Sequence, residues 1–142
     1  MTVNKCHVRF GFDCMDFAKV TGMLSGAYWC EGIKIDEVMK GAENSALVCG
    51  AFFNSGQVGY ARVVSDKTRF AYIMDVYVDE RYRSIGIGRL MIESILGHAD
   101  LKDVYHWLLI TKDAHGVYSR SGFKPLGRPG DWMEIRNPRP ER

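Results

Sequence analysis

Glycine and arginine residues are concentrated in the segment YRSIGIGRLM, which directly precedes an apolar pattern of helical spacing. A helix begins with unpaired backbone N–H groups and the positive end of its dipole, so its N-terminus attracts phosphate. Gly86 and Gly88 lack a Cβ and would let these N–H groups reach a bulky anion, while Arg81, Arg83 and Arg89 add positive charge. The segment therefore predicts a pyrophosphate site, with a plain strand-to-helix turn as the alternative.

Other phosphate-binding motifs fit this segment poorly. A dinucleotide-binding fingerprint would place a third glycine where Met91 stands, and no GK[ST] sequence completes a P-loop. The sequence therefore disfavours a site for a nicotinamide cofactor or for ATP.

A carboxylate interrupts the apolar run FAYIMDVYV at Asp75. A charged group in such a strand is costly unless it is paired or functional, so Asp75 is a candidate general base or water-holding group. Strand alternation would place Asp75 and Tyr77 on the face opposite Met74 and Val76. The alternative is that Asp75 only bonds a neighbour such as Arg62.

The spacing of apolar residues predicts the elements that would position these groups. Helical spacing predicts two early helices, at Phe17 to Leu24 and at Ile35 to Ala42, after a short strand in CHVRFGF. Beta-rich runs at 46–53, 58–65 and 70–78 predict an antiparallel meander, with NSGQ as the loop of its first hairpin.

A strand, helix, strand sequence follows the meander. The helix has apolar positions from Ile87 to Ile95, and the next strand is predicted at 104–111, parallel to 70–78 with a right-handed crossover. A last helix is expected at 114–122, with FKPL and WMEI completing the sheet. The predicted fold class is α/β, with a central mixed sheet, antiparallel first and parallel at the crossover, flanked by about four helices.

The order of these motifs resembles the GNAT superfamily of N-acetyltransferases. The resemblance rests on Arg83-x-x-Gly86-x-Gly88, on the preceding strand DVYVD and on the following DAHGVYSRSGF, and it covers about 46–135. It departs from the family at Ser84, where a glycine is common. We expect this departure to cost little because neighbouring residues would supply the freedom of the turn.

The resemblance implies an acetyl-CoA site and a direct transfer of acetyl to a primary amine. The backbone of Val76, Tyr77 and Val78 would bind the pantetheine arm and polarise the thioester carbonyl. Tyr118 would contact the coenzyme near its sulfur and protonate the departing thiolate, or it would simply pack on its helix face. The pyrophosphate would be held by the turn that comprises Arg83, Ser84, Ile85, Gly86, Ile87, Gly88 and Arg89.

The acceptor amine is expected where the two early helices approach the sheet. Tyr28, Trp29 and Glu31 lie between these helices in sequence, and Arg62 and Tyr72 could reach the same cleft. Aromatic residues near helix ends are more often core residues, which is the alternative. The sequence does not distinguish a small-molecule amine from a peptide amine.

Composition limits the remaining functions. The 142 residues are 46% hydrophobic and 25% charged, which fits a single domain over 1–142. The net charge of +2 does not indicate nucleic acid, and the final RNPRPER is expected to fray. We expect no metal, no membrane span, a cytoplasmic location and a homodimer. A non-catalytic acyl-CoA sensor or structural module is the alternative function, and an RNA-directed acetyltransferase is a weaker one.

Overall fold

A five-stranded sheet with helices on both faces forms the computed structural model of the chain, which describes residues 2–142. The strands follow one another across the sheet in chain order. They are β1 (Cys6–Phe10), β2 (Leu47–Phe53), β3 (Gly56–Ser65), β4 (Ala71–Val78) and β5 (Trp107–Leu108). The helices are α1 (Phe17–Leu24), α2 (Ile35–Glu43), α3 (Ile87–Leu96) and α4 (His115–Ser119).

The predicted mixed sheet is confirmed. Strands β1 to β4 pair antiparallel, and β4 pairs parallel with β5 across the α3 crossover. The β2–β3 hairpin closes tightly through residues 54–55, and Asn54 adopts a φ of 53°. Asn tolerates this left-handed conformation well, which suits a two-residue hairpin turn.

The C-terminal part of the chain differs from its prediction. Strand β5 has two residues instead of the expected eight, α4 ends at Ser119, and FKPL and WMEI form no strand. FKPL itself contains Pro125, and the segment between FKPL and WMEI contains Gly127, Pro129 and Gly130. Proline donates no ladder hydrogen bond and glycine weakens a strand, so these residues interrupt pairing along the sheet edge.

Two apolar clusters lie on opposite faces of the sheet. On one face, α3 contributes Ile87, Met91, Ile92 and Ile95, which are spaced so that they form one apolar stripe along the helix. The packing at Gly59 is close, because a Cβ on it would lie 3.1 Å from Met91 Cε and 3.2 Å from Ala51 Cβ, so these neighbours would have to shift. The other face packs against α1 and α2 and includes Val20, Leu24, Val38, Ala42, Val48, Phe52 and Tyr60.

A β-bulge interrupts β4 at Asp75. Tyr60 pairs with Tyr77 and Arg62 with Met74, so one residue of β3 opposes two of β4, and Asp75 has a φ of 57°. Ile73 and Val76 therefore both pack on the α3 side. Asp75 and Tyr77 therefore lie on the face opposite Val76, as predicted, but the alternation does not continue back to Ile73, because the bulge shifts its phase by one residue.

Across residues 2–142, every helix is too short or too polar to span a lipid bilayer.

Candidate active site

A cleft of about 420 Å³ opens where β4 and β5 separate. These strands pair only at Ala71 with Trp107 and at Tyr72 with Leu108, and they diverge beyond those residues. Six residues predicted for catalysis, cofactor or acceptor line the cleft. They are Tyr28, Trp29, Tyr72, Asp75, Val76 and Tyr118.

The carboxylate of Asp75 is held from two sides. Arg62 donates from Nε to Asp75 Oδ2 at 2.7 Å, and Trp29 donates from Nε1 to Asp75 Oδ1 at 3.0 Å. The side chains of Asp75 and Arg62 are 12% and 18% exposed. The predicted bond to Arg62 is confirmed, and Trp29 is a second partner that the sequence did not indicate. Bonding to both oxygens compensates the desolvation of a charge in this strand.

Aromatic side chains form the wall of the cleft on the α1 and α2 side. Tyr28 and Trp29 meet edge to face with ring centroids 5.1 Å apart, and Trp29 lies 6.2 Å from the ring of Tyr77. We call Tyr28, Trp29 and Tyr72 the acceptor wall. Glu31, also expected here, does not line the cleft.

Tyr118 lies in α4, on the opposite side of the cleft from β4. It is half-buried, and its ring meets Phe123 edge to face at 6.1 Å. Burial raises the pKa of Tyr118 above its ordinary value, with a smaller contribution from Tyr28. Its hydroxyl makes no hydrogen bond within residues 2–142, so the group is available to a ligand in the cleft.

A second cleft of about 680 Å³ adjoins the first between β5 and the segment after α4. The two clefts share Leu109, Ile110, Thr111 and Tyr118. Tyr118 therefore stands where the two spaces meet.

The turn of residues 83–89, here called the glycine turn, leads from β4 into α3. Gly86 is the N-cap of α3 with a φ of 99°, and no side chain caps the helix. The N–H of Leu90 makes the first helical bond, to the Gly86 carbonyl, so the N–H groups of 87–89 precede the helical ladder.

Ser84 adopts a φ of 67°, in the left-handed region that favours glycine. The expectation that neighbouring residues would supply the turn's freedom is therefore wrong, because Ser84 itself carries the strained conformation.

Arginines surround the glycine turn, and each has a partner within the chain. Arg83 donates from Nε to the Val78 carbonyl at 2.9 Å and lies over the Tyr77 ring. Arg89 donates from Nε to Glu93 at 2.8 Å, one helical turn along α3. The turn thus has an uncapped helix end with guanidinium groups beside it.

Asp79, directly after β4, is a buried and ion-paired residue that the sequence pattern did not indicate. It accepts from Lys19 Nζ at 2.6 Å and from Arg81 Nη2 at 3.0 Å, and it is buried. The bonds from Arg81 and Lys19 hold the pKa of Asp79 well below its usual range. Through Lys19 and Arg81, Asp79 links α1 to the segment between β4 and the glycine turn. An acid directly after a strand and two residues before an arginine was the available signal.

The C-terminal segment does not fray as predicted. Arg142 pairs with Glu37 of α2, with Nη2 at 2.5 Å from Oε2, and Arg136 and Arg139 line the cleft. Periodicity could not reveal this, since the segment has no secondary structure beyond a turn at Pro129–Asp131.

The chain is similar to known acetyltransferases. A family model described as an acetyltransferase (GNAT) domain matches residues 44–125. A protein of Xanthomonas campestris pv. campestris assigned to the GNAT family is 32% identical, covering 93% of this chain and 94% of that chain, with a TM-score of 0.85. No curated protein sequence matches this one.

Two more distant solved structures share the fold. A protein of Deinococcus radiodurans R1 assigned as an acetyltransferase is 20% identical, with 96% of this chain and 91% of that chain covered and a TM-score of 0.76. A predicted acetyltransferase of Clostridium acetobutylicum, solved with acetyl-CoA, is 18% identical, with 92% and 96% covered and a TM-score of 0.69. Because the family model spans more than half of the sequence and the Xanthomonas protein matches nearly all of it, this chain belongs to the GNAT acetyltransferase family.

Proposed function

We propose that the chain is an acetyl-CoA-dependent N-acetyltransferase that acts on a primary amine. One observation carries the proposal: β4 has an open edge on a cleft that reaches Tyr118, and its far end leads through the glycine turn into the uncapped N-terminus of α3. Acetyl-CoA would need these features in this order: a helix N-terminus for its diphosphate, a strand edge for its extended pantetheine arm, and Tyr118 near its reacting thioester.

The glycine turn fits a bound diphosphate on its own geometry. Gly88 lies within α3, and its φ is outside the left-handed region. A Cβ on Gly88 would lie 3.9 Å from Val78 Cγ2, an ordinary contact. Glycine in a helix is about 1 kcal/mol less favourable than alanine. Since the fold does not require Gly88, close approach of an anion to the N–H groups of 87–89 is a physical reason to have it.

The edge of β4 beyond Tyr72 suits the pantetheine arm. The edge of residues 73–78 lies beside the gap left by β5, so Val76 can offer backbone groups there, whereas the backbone groups of Tyr77 face Tyr60 of β3. The Val78 carbonyl already accepts from Arg83, which ties the strand end to the glycine turn. Acetyl-CoA, when bound, supplies an acetyl thioester whose sulfur must leave as a thiol.

Tyr118 is proposed as the general acid. Its raised pKa keeps the phenol protonated at neutral pH, and its hydroxyl is unengaged within the described chain. Such a group can give its proton from Oη to a thiolate leaving in the cleft. Tyr118 lines both clefts, so it is within reach of a ligand that extends from one cleft into the other.

Asp75 is proposed as a positioning residue that acts through Trp29 and Arg62, with water-mediated proton removal as its second role. Asp75→Asn tests the two roles. Loss of positioning raises the KM for the amine, whereas loss of a base lowers kcat.

The test of the proposed function is acetyl transfer by the purified chain. We expect release of free CoA thiol from acetyl-CoA only when an amine is present, together with an acetylated amine detected by mass spectrometry. Tight acetyl-CoA binding without turnover on a broad amine panel would instead indicate an acyl-CoA-binding module.

A further inference from the structure

The C-terminal segment 136–142 contributes two residues, Arg136 and Arg139, to the lining of the cleft. Arg142 is tied to Glu37, and its side chain is only 13% exposed although it ends the chain. A Cβ on Gly32 would lie 3.2 Å from Arg142 Cβ, so the tail packs closely on the loop before α2. This anchor brings Arg136 and Arg139 to the cleft, beside the acceptor wall.

The charge at this end of the cleft is mainly positive. Arg139 has no hydrogen bond or ion pair among residues 2–142. Arg136 has one contact, to Glu134 at 3.4 Å, and its side chain is 69% exposed. Lys112 adds a third cation, with Nζ 5.3 Å from the ring centre of Tyr28.

Two carboxylates face the same cleft, and they do not cancel this charge. Asp75 is already neutralised by Arg62 at 2.7 Å. Asp113 is exposed at the start of α4, on the side of Tyr118 rather than on the C-terminal segment. Arg139 is thus left to bind an anion from outside the chain.

We infer that the acceptor is an amine that also carries a carboxylate, as an amino acid does, and that Arg139 and Arg136 bind that carboxylate. The inference rests on the proposed function, since it names the substrate class of the same cleft. A guanidinium group offers paired N–H donors that match a carboxylate. Polycationic amines would be repelled by the same residues.

The positive wall also assists the chemistry. Only a neutral amine has the lone pair that attacks the thioester carbon, whereas most amines are protonated at neutral pH. A positive charge nearby disfavours a second one and lowers the pKa of the bound amine. Arg139 and Arg136 would therefore select the acceptor and raise its reactive fraction.

Matched acceptors test the inference. Each of the twenty L-amino acids is compared with its amide, which keeps the amine and side chain but removes the charge. O-phosphoethanolamine is compared with ethanolamine to test a phosphate in place of the carboxylate. Spermidine tests a polycationic amine. Turnover is measured as kcat and KM, and binding to the CoA-saturated protein is measured by calorimetry.

Arginine variants assign the effect to these residues. For the preferred amino acid we expect Arg139→Gln to raise KM about tenfold or more with a smaller change in kcat, and to change the KM of its amide much less. Arg136→Gln should act in the same direction. Arg128→Gln is the matched control, because Arg128 lies in the same C-terminal part but outside the cleft and pairs with Asp131 at 3.2 Å.

The outcomes separate this inference from the proposed function. Acetylation that favours amides, spermidine or O-phosphoethanolamine, or an unchanged KM in Arg139→Gln, would overturn the inference while the acetyltransferase function stands. Binding that favours the acid over the amide and is lost in Arg139→Gln would support the inference even without turnover, in which case the proposed function fails. If neither turnover nor binding favours the amino acid over its amide, the inference is overturned.

Discussion

Single residues of the glycine turn and of α4 set the conformation and chemistry of this molecule. Ser84 holds a φ of 67°, which costs an L-residue about 1–2 kcal/mol compared with glycine. We predict that Ser84→Gly raises the free energy of unfolding by about 0.5 kcal/mol, since the unfolded glycine chain gains entropy and offsets part of the relief. Unfolding in denaturant measures this change in the free energy of unfolding.

Ser55→Gly is the control for Ser84→Gly, because Ser55 lies in the β2–β3 turn without a positive φ. It should lower stability. Equal effects of both changes would show that Ser84 is not strained.

Tyr118 is the residue on which the proposed mechanism depends most. Tyr118→Phe keeps the ring against Phe123, so melting temperature and acetyl-CoA affinity should change little while kcat falls by about 10² or more. Because burial raises the Tyr118 pKa, the phenol loses its proton only at alkaline pH, and kcat should fall there in wild type but not in the variant. Tyr105→Phe, which removes an exposed tyrosine hydroxyl outside both clefts, should leave kcat unchanged. A kcat within a few-fold of wild type in Tyr118→Phe would assign Tyr118 to packing.

At the scale of elements, Asp79 joins α1 to the end of β4. Its folded pKa is lowered by Arg81 and Lys19, so its stabilisation is present above the unfolded pKa of about 3.9 and is lost as pH falls toward the folded value. We predict that Asp79→Asn lowers the free energy of unfolding by about 1–2 kcal/mol near pH 7. The difference from wild type should shrink below about pH 4.

Urea unfolding across pH 3 to 8 checks this prediction. Glu93→Gln removes an exposed partner of Arg89 and should change stability by less than about 0.5 kcal/mol, because exposed ion pairs contribute little. A constant difference between Asp79→Asn and wild type down to pH 3 would contradict the linkage.

Elements with regular periodicity were predictable from sequence, and their irregular ends were not. The three-stranded meander and the crossover through α3 follow from apolar spacing alone. The bulge at Asp75 depends on the register between β3 and β4, which the sequence does not show. The serine at position 84 was expected to cost little, because the sequence does not reveal the φ angle of this residue. The shortness of β5 depends on how far β4 and β5 diverge.

At the scale of the whole molecule, the fold brings distant segments to one cleft. Trp29, Asp75 and Tyr118 come from the α1–α2 connection, the sheet and α4, and the family resemblance had suggested their neighbourhood. Arg139 was not suggested, because the tail is held near the cleft by long-range contacts of Arg142, its ion pair with Glu37 and its packing on Gly32. Such contacts leave no pattern in local sequence.

The central claim, that the glycine turn holds the diphosphate of acetyl-CoA, is tested most directly by CoA affinity in Gly88→Asp. A carboxylate there blocks backbone approach and repels phosphate, while the fold has room for a Cβ at Gly88. At a hundredfold excess over Kd, CoA should stabilise wild type by about 2.7 kcal/mol, and NAD and ATP much less. Gly130→Asp, a new carboxylate at an open glycine outside both clefts, should retain this stabilisation, and Gly88→Asp should lose most of it. Unchanged CoA affinity in folded Gly88→Asp, or equal stabilisation by NAD, would contradict the account.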